Sequence, residues 1–351
     1  HKWFMSAPMC DAFLVLAQAP GGLSCFFLPR WLPDGESNGS LNAIFVQRLK
    51  DKLGNRANAS SEVEFVDAAA WLVGEEGRGV PQILAMGALT RLDCALGTAG
   101  LMRQALSIAL HHAAQRQAFG KPLVAQPLMK NVLADLALES EAATLLALRL
   151  ALAVDRTERA PGTSVPGESF DRAHEAVMRR LLTPVAKFWI CKRGSHFAQE
   201  AMECLGGNGY VEGGGEGTMA RIYREMPLNS IWEGAGNIMA LDLQRALRGN
   251  DVAPALEREL AEARRAHPAL DRAVARVLAG VDGGVHEAQG RVLARDTALV
   301  LQAALLHRVS PPAVFEAFCE ARLAVSSDVF GALDTGADLD ALVERAMPVA
   351  A

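Results

Sequence analysis

The sequence has few aromatic residues and no long uncharged apolar run. Aromatics make up 6% of the 351 residues, although half of the chain is hydrophobic and Ala and Leu fill its long stretches. This composition favours helices over an all-β fold. The densest apolar stretch, Ala142–Val154, is interrupted by Arg149 and is shorter than the roughly 18 residues that a membrane span needs. We therefore expect no membrane segment.

The amino terminus lacks a signal-peptide pattern, and the cysteines lack metal-binding spacing. Six cysteines are scattered in apolar surroundings without any CxxC pair. This pattern disfavours metal sites and disulfides and indicates reduced thiols in a cytoplasmic protein. The chain begins at His1, without Met, in a stretch typical of a strand. We therefore expect it to be a fragment.

Lysine is absent from residues 250–351, which hold ten arginines against fifteen Asp and Glu residues. Their net charge of −5 equals that of the whole chain, so the first 249 residues are neutral overall. No part of the chain is basic overall, which weakens any simple interpretation as a polyanion-binding protein.

Short apolar runs in the first seventy residues predict β structure. Ala12–Ala19 and Leu23–Leu28 are joined by Pro20-Gly21-Gly22, which is typical of a hairpin. Val63–Val66 predicts a further strand.

From about Pro81 the pattern becomes helical. Apolar residues from Met129 to Leu150 are spaced 3, 4, 7, 3 and 4 apart, which predicts one long helix with Pro127 in its first turn. A second helical run, Phe170–Leu205, ends at Gly206-Gly207.

Loops separate these helices from those that follow. We expect a loop over Arg156–Ser169 and a connection at Gly213–Gly215. Another helix starts near Gly234, and about three more segments follow Asn250–Pro254.

Two patches combine residues suited to a flat, charged cofactor. Trp3-Phe4-Met5-Ser6 offers an indole for stacking and a hydroxyl donor, although a buried tryptophan in a sheet explains it equally well. Arg116–Leu123 (RQAFGKPL) offers a guanidinium whose planar fork suits pyrophosphate, with Gly120 allowing a sharp turn. An ordinary surface arginine at a helix end is the alternative.

The patch Leu205–Tyr210 (LGGNGY) has three glycines in four positions, which let backbone N–H groups approach a ligand. It does not match the dinucleotide GxGxxG pattern, and taken alone it is better explained as a helix end followed by a turn.

The patch Ile231–Ile238 (IWEGAGNI) places Glu233 between an indole and a glycine. Partial burial beside Trp232 would suit a general base. A position at a helix start would instead favour the charged carboxylate, and the sequence leaves both open.

Together and in this order, the four patches resemble the acyl-CoA dehydrogenase flavoprotein family over roughly residues 1–247. The resemblance is specific because RxxFG, LGGNGY and an aromatic residue before Glu-Gly occur in one chain. Leu49–Arg56, Tyr223–Pro227 and Ser230–Asp242 look most like the AidB-type branch, which is linked to the adaptive response to alkylating agents.

The resemblance implies a mainly α fold, with a partial β-barrel domain over 1–73. A four-helix-bundle domain over 74–249 and an additional helical domain over 250–351 would follow. The family's helical domain at the amino terminus would be absent.

The resemblance also implies residue roles. Glu233 would be the catalytic base, because Thr90 occupies the position that other branches use, and Arg91 would contact the substrate. Arg116, Phe119 and Gly120 would bind FAD across a subunit interface, which implies a homo-oligomer. The implied FAD-binding residues are Trp3, Ser6, Arg116, Phe119, Gly120, Gln126, Gly206, Gly207, Ile231, Trp232, Gly234 and Asn237.

The implied function is FAD-dependent α,β-dehydrogenation of an acyl-CoA thioester. The alternative is a DNA-binding flavoprotein of the alkylation response with weak dehydrogenase activity. In that case, a basic stripe on one helix would contact the DNA phosphates. The stripe would be formed by Arg258, Arg265, Arg272 and Arg276. Because Glu262 follows Arg258 by four residues, a solvated helix face is the favoured interpretation of this stripe.

Overall fold

The computed structural model describes residues 2–33, 39–160, 169–213, 218–284, 286–325, 329–334 and 336–348. The chain divides into two compact units, residues 1–90 and 91–351. Most of the expected loop over Arg156–Ser169, and two of the three glycines at 213–215, lie outside the described residues. The expected domain boundaries near residues 73 and 249 stay predictions.

The first unit consists mainly of short antiparallel strands. They are β1 (Lys2–Phe4), β2 (Ala12–Ala19), β3 (Gly22–Pro29), β4 (Trp31–Leu32), β5 (Ser40–Leu41), β6 (Ile44–Leu49), β7 (Ser61–Phe65) and β8 (Trp71–Val73). They form the sheets β1-β7-β6, β2-β3-β8 and β4-β5. The predicted hairpin is confirmed, because Ala19 pairs with Gly22, whose φ of 114° needs glycine.

A small apolar cluster joins two of these sheets. Phe13 and Leu28 from the hairpin and Val63 from β7 are buried together. Phe4 of β1 packs edge-on against Phe13 and Phe65. The predicted strand at Val63–Val66 is confirmed as part of β7, which ends at Phe65.

Helix α1 (Gly79–Gln115) starts in the first unit, and the second unit is mainly helical. Its other helices are α2 (Pro127–Glu158), α3 (Arg172–Glu203), α4 (Thr218–Asn229), α5 (Gly236–Ala246), α6 (Val252–Leu260), α7 (Pro268–Gly283), α8 (Gly290–Val309), α9 (Pro312–Cys319) and α10 (Leu339–Ala346). Pro127 occupies the first position of α2, as predicted. None of the helices within the described ranges is long and apolar enough to cross a membrane.

The segment after residue 250 shares one hydrophobic core with the helices before it. Helix α8 packs against α2, α3 and α5, and α10 packs against α2. The buried side chains of these helices form one continuous cluster. The described helices after residue 250 therefore pack directly against the helices before it.

The predicted single basic helix is wrong. Helix α6 ends at Leu260, and Arg265 lies in a turn with a φ of 64° before Pro268 begins α7. Arg258 pairs with Asp171, whereas Glu262 pairs with Arg308. Only Arg272 and Arg276 share a helix. The seven-residue spacing of Arg258, Arg265 and Arg272 does not reveal this break, because the spacing of charged residues does not show where a helix ends.

Five of the six cysteines are buried, and four of these thiols should make the stability of the fold depend on pH in the alkaline range. Burial raises the pKa of the Cys94 thiol to about 11 and that of Cys191, Cys204 and Cys319 to about 12. In the unfolded chain the same thiols have the ordinary cysteine pKa of 9.0. Stability from these groups is therefore complete below about pH 9 and is lost as pH rises towards the folded pKa values.

We expect each of these four thiols to lower the free energy of unfolding by about 1.4 kcal/mol between pH 8 and pH 10. Urea unfolding at the two pH values measures the loss. Cys319→Ala leaves a cavity at both pH values, so its lower stability at a single pH is not informative. The loss in free energy of unfolding between pH 8 and pH 10 should be smaller in this variant by about 1.4 kcal/mol. An unchanged difference in this variant would contradict the expectation.

Candidate functional site

Glu233 lies in a turn between α4 and α5 and is half-buried. Its φ of 58° is in the left-handed region, and the next residue, Gly234, has a φ of 109°. The N–H groups of Ile231 and Trp232 donate to the carbonyl of Leu228, which ends α4 tightly. Because α5 begins only at Gly236, Glu233 is not a helix-start carboxylate. Its backbone conformation is unusual for a non-glycine residue and marks a specialised turn.

Two cations hold the carbonyls of this turn. The Nζ atom of Lys187, on α3, donates to the carbonyl oxygens of Trp232 and Gly234 at 2.8 and 2.6 Å. The Nε atom of Arg91, on α1, donates to the carbonyl oxygen of Glu233 at 2.9 Å. Three consecutive peptide carbonyls are thus bound by two positive side chains. No sequence motif pointed to Lys187, although a lone lysine within the apolar run Leu181–Cys191 was a signal.

Arg91, which the resemblance implies to contact substrate, uses its guanidinium for contacts within the protein. Its Nη1 atom is 3.0 Å from a carboxylate oxygen of Asp242 on α5, whose other oxygen accepts from Arg180 at 2.7 Å. Arg91 is therefore fixed next to the Glu233 turn, and its guanidinium links that turn to α5.

The remaining residues of this patch surround the turn. The φ of 109° at Gly234 favours glycine, and a Cβ atom there would come within 2.8 Å of the Met239 methyl group, which would have to shift. Ile231 is exposed. The side-chain oxygen of Asn237 accepts from Arg291 of α8 at 3.0 Å, which connects the carboxyl-terminal helices to the start of α5.

The RQAFGKPL patch forms a hairpin. Strands β9 (Gln117–Ala118) and β10 (Lys121–Pro122) are joined by Phe119 and Gly120, whose φ values are 51° and 81°. Two central residues with positive φ define the tight hairpin turn that matches strand twist. The amide of Gln126 donates to the carbonyl of Ala118 at 2.9 Å and steadies the hairpin. Phe119 is 98% exposed at its tip.

Arg116 and the first two glycines of LGGNGY, Gly206 and Gly207, line the same cavity of about 410 Å³. Gly206 has a φ of 62°, and it follows the end of α3, so the turn also serves as the predicted helix end. A Cβ atom at Gly206 or Gly207 would meet nothing within 4 Å, whereas one at Gly209 would clash with the Met202 carbonyl. The first two glycines therefore open onto free space beside a guanidinium.

This donor set fits the diphosphate of a dinucleotide cofactor. A guanidinium makes paired charge-assisted hydrogen bonds to phosphate oxygens. Glycines without side chains let backbone N–H groups approach the same oxygens. Arg116, Gly206 and Gly207 supply both features within one cavity.

Trp3 and Ser6 lie in the first unit. The Trp3 side chain is 41% exposed, so the interpretation as an ordinary buried tryptophan is wrong, and Arg48 and Lys50 lie 5.4 Å from its ring. The N–H and hydroxyl of Ser6 both donate to the side-chain oxygen of Asn58, at 2.9 and 2.7 Å.

A lysine fixes the loop that carries Asn58. Lys52 donates to the Asn58 carbonyl at 2.8 Å and to the Ser60 hydroxyl at 3.1 Å. The segment Leu49–Arg56, noted above for its resemblance to the AidB-type branch, thus contributes to the placement of Ser6.

Comparison with known proteins identifies the family. The model for "Acyl-CoA dehydrogenase, C-terminal domain" matches residues 77–248. AidB of Escherichia coli (strain K12), whose name classes it with the acyl-CoA dehydrogenases, is 49% identical over 92% of this chain and 56% of its own length.

Solved structures show the same fold. Caenorhabditis elegans ACDH-11, crystallised in complex with C11-CoA, superposes with a TM-score of 0.77 at 27% identity, over 92% of this chain and 58% of its own. A Bacillus anthracis acyl-CoA dehydrogenase complexed with FAD gives a TM-score of 0.70 at 19% identity, over 98% of this chain and 62% of its own. The chain thus spans little more than half the length of these relatives. It belongs to the acyl-CoA dehydrogenase family, and within that family it is similar to AidB.

Proposed function

We propose that the protein is an FAD-dependent acyl-CoA dehydrogenase-like oxidoreductase with Glu233 as its base. The observation that carries the proposal is the Glu233 turn, because an unusual backbone is held there by two cations on three consecutive carbonyls. A carboxylate carried by a backbone held in this way suits a proton transfer with strict geometry. The C11-CoA complex of ACDH-11 supports an acyl-CoA thioester as the substrate class.

In the proposed reaction, the Glu233 carboxylate takes the α-proton of the thioester. The backbone N–H of Glu233 donates a hydrogen bond to the thioester oxygen, where negative charge develops. Lys187 and Arg91 keep the turn in place while the carboxylate changes its charge. FAD, when bound, supplies the acceptor for the β-hydride at N5.

Arg116, Gly206 and Gly207 would hold the diphosphate of FAD, since they line one cavity and match its chemistry. Ile231, Trp232, Gly234 and Asn237 would lie on the flavin side of the Glu233 turn. The flavin contacts implied for Trp3 and Ser6 stay predictions. Phe119 and Gly120 stand at the exposed tip of a hairpin that Gln126 steadies. An exposed phenylalanine at a well-defined turn suits contact with another chain, so we propose a homo-oligomer in which this hairpin meets the neighbouring subunit's FAD.

Arg116→Ala should lower FAD retention about tenfold or more and leave the fold intact, because a charged hydrogen bond contributes about 1.5–3 kcal/mol. The measurement is the flavin absorbance of each variant after gel filtration at low micromolar protein, with light scattering for the mass. Arg264→Ala, which removes an exposed arginine elsewhere, is the matched control. A variant that stays fully yellow, or a monomer that keeps all its FAD, would contradict these roles.

The alternative is an AidB-type DNA-binding flavoprotein with weak dehydrogenase activity. The observation that favours it is the exposure of Arg272 and Arg276 on α7. The broken stripe and the pairing of Arg258 with Asp171 count against it. Titration of a labelled duplex at 50 and 200 mM salt tests it, because phosphate contacts lose affinity steeply with salt. Salt-sensitive binding that the double variant R272A/R276A loses would support this function.

A further inference from the structure

We propose that Lys187 is a positioning residue for the base, because its ammonium group holds the two carbonyls that flank Glu233 and strengthens the Glu233 N–H as a donor. The inference rests on the proposed function, in which that N–H meets the thioester oxygen. It assigns a role in the reaction to a residue that does not itself contact the substrate.

The burial of Lys187 is the first observation. The residue is only 1% exposed, in the middle of α3 between Ala186 and Phe188. Lysine is rarely buried so completely without a charged partner. Yet within the described part of the chain, no carboxylate oxygen lies within 4.0 Å of its Nζ atom. Its hydrogen bonds go instead to the carbonyls of Trp232 and Gly234.

The connectivity of the peptide groups is the second observation. The carbonyl of Trp232 and the N–H of Glu233 belong to one peptide group. A cation 2.8 Å from that oxygen draws electron density away from the nitrogen, and hydrogen bonds in such chains strengthen one another. Lys187 therefore acts on the same N–H that would stabilise the developing negative charge.

The third observation is the conformation that this lysine maintains. Lys187 also binds the carbonyl of Gly234, beyond Glu233 in the chain, at 2.6 Å. Both sides of the Glu233 Cα atom are thus tied to one ammonium group, and φ at Glu233 is held at 58°. Without this tie, the turn would be free to relax towards an ordinary backbone conformation, which would move the carboxylate and the N–H together.

The test isolates proton removal from hydride transfer. A 3-thiaacyl-CoA has an acidic α-carbon but no β-hydrogen, so the hydride step is blocked. Its α C–H bond breaks, the proton passes to Glu233 and the electron pair moves onto the thioester oxygen. Return of deuterium from D2O then labels the α-carbon, and mass spectrometry measures the exchange rate in the FAD-loaded protein.

We expect Lys187→Met to slow this exchange 10- to 100-fold, and Lys187→Gln, which keeps neutral donors, to recover part of the rate. Binding of an alkyl-CoA thioether, which lacks the carbonyl, should change less than twofold in either variant. Amide hydrogen exchange of the peptide 229–237 should be faster in Lys187→Met. Arg179→Met, which removes another partly buried cation from α3, should match the wild type in all three measurements.

The outcomes separate the two proposals. A wild-type protein without any α-exchange would overturn the proposed function, and this inference with it. Exchange in the wild type that both Lys187 variants retain within twofold would overturn the inference alone. Equal losses of exchange, thioether binding and thermal stability in Lys187→Gln would show a merely structural lysine and would also overturn it.

Discussion

Glu233→Gln is expected to abolish flavin reduction by acyl-CoA while FAD remains bound. The amide has nearly the shape of the carboxylate, and the carbonyls of the turn still bind Lys187 and Arg91, so the backbone should keep its conformation. An amide cannot accept the α-proton, and loss of a general base costs about 10²–10⁴ in rate. Stopped-flow absorbance of the flavin after mixing with acyl-CoA measures the effect.

Glu257→Gln, an exposed carboxylate on α6, is the matched control and should leave the rate unchanged. Retained reduction in Glu233→Gln would move the search to another carboxylate. If the wild type itself shows no reduction with a series of acyl-CoA esters, Glu233 has no such role and the DNA-binding alternative gains weight.

Local signals in the sequence predicted much of the fold. Pro127 at the first position of α2 and the Pro20-Gly21-Gly22 hairpin act through backbone geometry, which depends only on neighbouring residues. The strong 3.6-residue pattern from Met129 to Leu150 gave one long helix for the same reason. The break between α6 and α7 also had a local signal, since Pro268 stands at the first position of α7.

The geometry of the site depends on contacts between residues that are far apart in the sequence, and local sequence patterns cannot predict such contacts. Lys187 meets the Glu233 turn across about 45 residues, and Arg91 meets it across about 140. Arg116 shares its cavity with Gly206 and Gly207, far along the chain. Family resemblance selected most of these residues, but their hydrogen bonds became visible only in the structure.

Arg149 is the centre of a buried charged cluster that ties the carboxyl-terminal segment to the bundle. From α2 it binds Glu259 of α6 through two hydrogen bonds, at 2.8 and 3.0 Å, and Glu175 of α3 at 2.8 Å. These three side chains are at most 6% exposed. Arg156 also binds Glu175, at 2.6 Å, whereas the other partners of Glu259 are more distant, His174 at 3.5 Å and Arg308 at 3.7 Å. Glu259 therefore depends mainly on Arg149. Although burial acts in the opposite direction, Arg149 lowers the pKa of Glu259 below its usual value.

We expect Arg149→Met to lower the free energy of unfolding by about 3–5 kcal/mol, because it leaves the buried Glu259 carboxylate without its main partner. Arg345→Met is the matched control: Arg345 binds Glu141 through two hydrogen bonds of 2.9 Å, but it is 44% exposed, so its loss should cost about 0–1 kcal/mol. Urea unfolding followed by circular dichroism of the helices measures the stability of both variants.

The stability that Glu259 derives from its lowered pKa is present above about pH 4.5, its usual pKa, and is lost as pH falls further. The difference in free energy of unfolding between Arg149→Met and the wild type should therefore become smaller below that pH. If Arg149→Met and Arg345→Met lose the same stability at pH 7, burial does not determine how much the Arg149 cluster stabilises the fold.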